Sequence, residues 1–218
     1  MEKLLKIPYK VFNDWDQLQL FLKHKGNPRY ELVGEVDLES RKDIFDLGNL
    51  VRVDGELILY RSSIQSLGNL EYVGGNLRLH YTPIKSLGNL EYVGGNLRLH
   101  NTPIKSLGNL EYVGGNLDLI STPIESLGNL VRIDGNLKLG FSPIRSLGKL
   151  EYVGGYLDLI STPIESLGNL EYVGGVLDLS GTPIESLGSL QYVGNTIFLS
   201  KNHQIPEEQL TKFKIKYY

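Results

Sequence analysis

Histidines, carboxylates, serines and paired glycines supply most protein chemistry, and in this chain many of them recur at multiples of twenty residues. His80 and His100 share one column, with side chains about 5 Å apart if they lie on adjacent strands. Two imidazoles begin a metal site, but their column continues with Tyr60 and Ile120, so no third strong ligand follows. Ser66 and its equivalents sit in Ser-Leu-Gly turns, where a hydroxyl serves as acceptor for a backbone N–H, and no histidine accompanies each as a base. Asp158 and Asp178 form a carboxylate pair of the type used in acid–base work, yet an open sheet is expected to offer no pocket that raises a pKa. The Gly-Gly pairs lack the strand-to-helix GxGxxG or GK[ST] setting that cradles phosphate. The chain reads as a non-enzyme with no cofactor and no metal.

The elements that place these residues are the repeats themselves. SLGNLEYVGGNLRLH fills 66–80 and returns unchanged at 86–100, and looser copies align on Leu57, Leu117, Leu137, Leu157 and Leu177. A fixed twenty-residue period marks a solenoid, in which each repeat is one coil and the surface of the stack carries function. With 218 residues, 41% of them hydrophobic, the chain can bury a sizeable core. A net charge of −3 gives no general attraction to nucleic acid or anionic membrane. There is no cysteine, no signal-like apolar run at the start and no stretch of about 18 apolar residues. An intracellular setting and no membrane contact are therefore expected.

Within one unit, Leu77 and Leu79 alternate with Arg78 and His80 as a short strand with one buried face, and Ile84, Leu87, Leu90 and Val93 turn inward as the chain wraps round. One glycine column (Gly48, Gly68, Gly88 and onward to Gly188) is unbroken and predicts a left-handed corner; a second includes Gly55, Gly75 and Gly95. Residues 1–30 form an N-terminal cap, with Asn13 or Asp14 capping a helix that presents Trp15, Leu18, Phe21 and Leu22. Residues 31–200 form the solenoid of about eight repeats and a final half coil, the first coil being degenerate. Residues 201–218 form a C-terminal cap, with Pro206 opening a short helix.

The stretch LxLxxTPIxSL, as in Leu117, Leu119, Thr122, Ile124 and Leu127, resembles the leucine-rich repeat core at the short length of bacterial or phage members, and LxxVGGxLxL is similar to receptor L-domain repeats. The resemblance covers about 160 of the 218 residues. It implies a mainly β, right-handed solenoid with one parallel sheet, capped by an N-terminal helix and a short C-terminal helix, and it implies protein binding on a concave face. The family's ladder asparagine is replaced by Thr82, Thr102, Thr122, Thr162 and Thr182, whose hydroxyls are expected to bond the backbone of the neighbouring coil.

Variation concentrates on the outward columns of the leucine strand. The expected partner-binding residues are Tyr60, Arg61, Arg78, His80, Tyr81, Arg98, His100, Asp118, Phe141, Tyr156, Asp158, Ile160 and Asp178. Charges from 98 to 158 alternate between neighbouring coils and predict cross-strand ion pairs, whereas Arg78 beside Arg98 and Asp158 beside Asp178 place like charges together. A protein-recognition scaffold with a partner protein of unknown identity is the leading expectation. One alternative is a binder of an acidic or phosphorylated ligand, nucleic acid included, through the basic and aromatic N-terminal half; the acidic C-terminal half and the net charge oppose it. Another is a structural or self-assembling element of a virus or phage particle.

Overall fold

Six apolar side chains per coil set the fold. Leu97, Leu99, Ile104, Leu107, Leu110 and Val113 are each fully buried, as are their counterparts through most of the array, and they merge into one continuous core. At about 2 kcal/mol per side chain they barely offset the ordering of twenty residues at about 1 kcal/mol each, so a coil is stable only against its neighbours. A computed structural model describes residues 4–12 and 14–218. Among the described residues the chain is a mainly β solenoid with two short α-helices.

Two ten-stranded parallel sheets run the length of the molecule, where one was expected. The second sheet is the one foreseen: Val36–Asp37, Leu57–Ile58, Leu77–Arg78 and so on to Thr196–Leu199, with Leu77 in register with Leu97 and Arg78 with Arg98. The first sheet is built from the Tyr-Val pairs, such as Tyr92–Val93 and Tyr112–Val113. Its ladder forms because the segment before each Gly-Gly turn is also extended: the Glu91 N–H donates to Glu71 O at 2.9 Å, and the Gly94 N–H to Val73 O at 2.8 Å. Only one side chain per strand, the valine, is buried there, so the period-two signal that reveals a strand is too short to read.

The corners follow two different glycine requirements. Gly68, Gly88 and Gly108 hold φ of 58° to 60°, the left-handed region expected from their unbroken column, and each accepts support from a serine: Gly88 N–H donates to Ser86 Oγ at 3.1 Å. At Gly114 φ is ordinary and the requirement is space, because a Cβ would overlap the carbonyl of Gly94 in the coil below.

Both ends are closed by chain that departs from the repeat. Asp14 caps α1 (Trp15–His24), accepting from the Asp16 N–H at 2.8 Å; Asn13, the other candidate cap, lies outside the described residues. Trp15, Leu18 and Leu22 enter the core, and the strand Leu5–Pro8 extends the first sheet beside Tyr30–Val33. At the other end α2 (Glu207–Leu210) buries Leu210, Gln209 accepts the Leu187 N–H at 3.0 Å, and Lys214–Tyr217 adds the last strand of the second sheet. No helix among the described residues is long and apolar enough to cross a membrane.

The two glycine types predict different penalties in urea unfolding. Gly114→Ala, which drives a Cβ into backbone, should cost about 3 kcal/mol. Gly108→Ala, where the nearest atom is 4.0 Å away and only the left-handed φ is strained, should cost about 1 kcal/mol. Equal losses would show that the coil spacing is looser than this geometry requires.

Candidate functional site

Outward positions of the second sheet carry most of the expected site residues, and the structure brings them together in two groups. In the N-terminal group the rings of Tyr60, His80 and His100 stack in one column, with centroids 4.7 and 4.6 Å apart, and the edge of Tyr81 meets His100 at 5.5 Å. The Arg61 guanidinium lies 5.7 Å from the Tyr60 ring and 5.9 Å from Tyr81. Arg78 pairs with Glu56, while Arg98 is exposed and has no carboxylate within ion-pairing distance among the described residues.

His100 Nδ1 lies 3.2 Å from Asp118 Oδ2 but off the line of a hydrogen bond, and His80 Nδ1 is buried without a partner. Burial first, and then the positive charges of His100, Arg98 and Arg78, push His80 down to about 4. Beside this stack an open depression of about 220 Å³ is lined by Asn96, Arg98, His100, Asp118, Asn136 and Lys138. No group of three or more potential metal ligands is present among the described residues.

The C-terminal group holds Phe141, Tyr156, Asp158, Ile160 and Asp178. Burial and the two aspartates raise the Tyr156 phenol. The Asp158 carboxyl is raised as well, chiefly by burial and also by Asp178, contrary to the expectation that an open sheet leaves such a pair unperturbed. Of the expected ion pairs between coils, Lys105 with Glu125 forms, at 2.8 Å, whereas Arg98, Asp118, Lys138 and Asp158 on the strands do not pair with one another. Asp118, Asp158 and Asp178 instead accept the backbone N–H two residues ahead, from Ile120, Ile160 and Ser180 at 3.0 to 3.2 Å, and so stabilise the corner after each strand.

That corner contains a feature the sequence did not disclose. Arg61, Tyr81, Asn101, Ser121, Phe141 and Ser161 all hold φ between 54° and 61°, and Gly181 closes the column at 72°. Each non-glycine residue there costs about 1 kcal/mol, and the side chain it carries projects into solvent: Phe141 is 79% exposed and Tyr81 52%. The only sign in the sequence is Gly181 and Asn101, the residues that best tolerate this geometry, in an otherwise variable column.

An asparagine ladder was also missed. Asn76 Oδ1 accepts from the Asn96 backbone N–H at 2.8 Å, Asn96 Oδ1 from Asn116 at 2.8 Å, Asn116 Oδ1 from Asn136 at 2.8 Å and Asn136 Oδ1 from Tyr156 at 2.6 Å. The recurrence of asparagine in four consecutive coils was its signal. The threonines, expected to bond between coils, do not: Thr82 Oγ1 donates to Leu79 O of its own coil at 2.6 Å, and Thr102 and Thr122 repeat the contact. Three residues separate donor from acceptor, so the hydroxyl closes a local turn before it can reach the next rung.

His80 gives the stack a pH signature. Its folded pKa of about 4 lies below the ordinary value of about 6.5, so between these values the unfolded chain binds a proton that the folded chain refuses. Stability should fall as pH drops from about 6.5 towards 4, and His80→Tyr, the residue found at position 60 of the same column, should flatten that part of the curve. Urea midpoints at neutral and mildly acid pH measure it; an unchanged slope would remove His80 as the cause. Compared with models of protein families, with curated proteins and with solved structures, the chain matches none.

Proposed function

We propose that the chain is a non-enzymatic recognition scaffold whose partner is a protein, engaged by the outward face of the second sheet and by the left-handed corner beside it. The observation that carries this reading is Phe141: a large apolar side chain, 79% exposed, held at a φ of 61° where glycine would cost less. Ile120, 42% exposed, and Ile160 lie in the adjoining coils, with Gly140 between them. An apolar centre flanked by Arg98, Lys138 and Asp158 is the composition of a protein-binding patch, with its polar rim. A cell-interior setting belongs to the same proposal and draws on the cysteine-free composition.

The finer assignment to leucine-rich repeats draws on the LxLxx strand, the twenty-residue period and the burial of every leucine column. The second parallel sheet and the locally bonded threonines oppose it. A second reading, a binder of an acidic or phosphorylated ligand, has one observation in its favour: Arg98 lies in register with Arg78 and carries no ion pair among the described residues.

Phe141→Gly separates stability from recognition. Relief of the left-handed strain should raise the unfolding free energy by up to about 1 kcal/mol, while affinity capture from host lysate should lose its partner. Arg78→Glu with Arg98→Glu is the companion variant: a partner lost only on this change, with affinity collapsing as salt rises, favours the anionic ligand. Capture unaffected by either variant removes this face from the function.

A further inference from the structure

The outward position of the second sheet can be read across all ten strands in register: Asp37, Ile58, Arg78, Arg98, Asp118, Lys138, Asp158, Asp178, Phe198 and Lys216. In character the series is acid, apolar, base, base, acid, base, acid, acid, apolar, base. Reversed in order and with every charge exchanged, it is the same series. Asp37 answers Lys216, Ile58 answers Phe198, Arg78 answers Asp178, Arg98 answers Asp158, and Asp118 answers Lys138. The exposed column seven residues further on repeats the central order, from Lys85, Lys105 and Glu125 to Arg145, Glu165 and Glu185.

We propose that this face pairs with the same face of a second copy, the two solenoids antiparallel about a two-fold axis that runs along the strands, midway between Leu117–Asp118 and Leu137–Lys138. The proposal rests on the reading that this face recognises protein, and it names the occupant. Such an interface is isologous, each residue meeting the partner residue equidistant from the axis. A solenoid face is unusually suited to it, because both surfaces carry their side chains on the same rung spacing of about 4.8 Å and charges stay in step from end to end.

Shape follows the same symmetry. Ile120 meets the partner's Gly140, Phe141 the partner's Ser121, Tyr81 the partner's Gly181, and Tyr60 the partner's Ser200, a large residue facing a small one in each of these pairs, while His100 meets the partner's Ile160. Near the axis Ile120 and Phe141 from both copies form an apolar centre. His80 meets the partner's Ser180, a ring against a small side chain. Like charges held side by side, Arg78 with Arg98 and Asp158 with Asp178, are each matched by the opposite pair. Arg61 opposite the partner's Lys201 is the exception, at the outer ends. Ten rungs by five residues project to about 700 Å², close to the ~800 Å² per partner of a standard interface.

Charge exchange tests it on the full chain. Sedimentation over a concentration series at low ionic strength should show dimers that weaken as salt rises. Arg78→Asp with Arg98→Asp, and separately Asp158→Arg with Asp178→Arg, should each weaken self-association about tenfold or more. An equimolar mixture of the two variants restores every pairing and should recover the dimer. Asp118→Lys and Lys138→Asp, single changes beside the axis, provide a second complementary pair should either double variant fail to fold.

A wild-type chain that stays monomeric at low salt, variants that dimerise as the wild type does, or mixtures that remain monomeric would each overturn the proposal. A monomeric wild type whose captured partner is still lost on Phe141→Gly would leave the recognition reading standing and remove only the second copy as occupant.

Discussion

One translation governs the molecule: each residue lies about one strand spacing, roughly 4.8 Å, from the residue twenty positions further along. Backbone hydrogen bonds between coils, such as Leu77 N–H to Asn96 O and Gly94 N–H to Val73 O, impose it on two sides of the coil at once. A single coil has too little apolar area to hold itself together, so the same contacts that set the spacing also make folding cooperative along the stack. Every other regularity is a consequence. Identical residues must meet themselves, and only residues that tolerate their own company can fill a column.

Tyrosine, asparagine and glycine satisfy that condition in different ways. Tyr72, Tyr92 and Tyr112 stack with nearly parallel rings, as do Tyr152, Tyr172 and Tyr192, and each run ends against an arginine that lies on a ring face, Arg52 over Tyr72 at 3.4 Å and Arg132 over Tyr152 at 3.9 Å. An asparagine carboxamide accepts from the rung above while its own amide group points to the rung below, so the ladder propagates until Tyr156 ends it. Glycine meets glycine where backbone approaches backbone. Charge alone is badly suited to the rule, yet like charges abut in several columns: Arg78 with Arg98 and Asp158 with Asp178 on the second sheet, Lys85 with Lys105 beyond it, and Glu71, Glu91 and Glu111 before the first-sheet strands.

The ends show what the translation cannot supply. A strand at the end of each sheet has no next rung, and the chain answers with non-repeating segments: α1 buries Trp15, Leu18 and Leu22, and α2 buries Leu210. One edge strand of each sheet, Leu5–Pro8 in the first and Lys214–Tyr217 in the second, carries residues that discourage continued pairing: Lys6 and Pro8, and Lys214 and Lys216.

From the sequence came the coil length, the six buried columns, the left-handed glycine corner and the near contact of His80 with His100, because each is a local preference multiplied by recurrence, while the helices at the two ends were legible as breaks in that recurrence. The second sheet of Tyr-Val strands was hidden, since two residues with one buried side chain leave no period to detect. Where polar groups bond was likewise decided by distance in space: the threonine hydroxyls turned to their own coil, the aspartates to the backbone two residues ahead, and the asparagines to the next rung. The left-handed column at Arg61, Tyr81 and Phe141 belongs to the same class, because a corner's φ is set by the wrap of the whole coil. Sequence names the residues in each column, and only the stacked coils determine which atoms of neighbouring columns fall within reach.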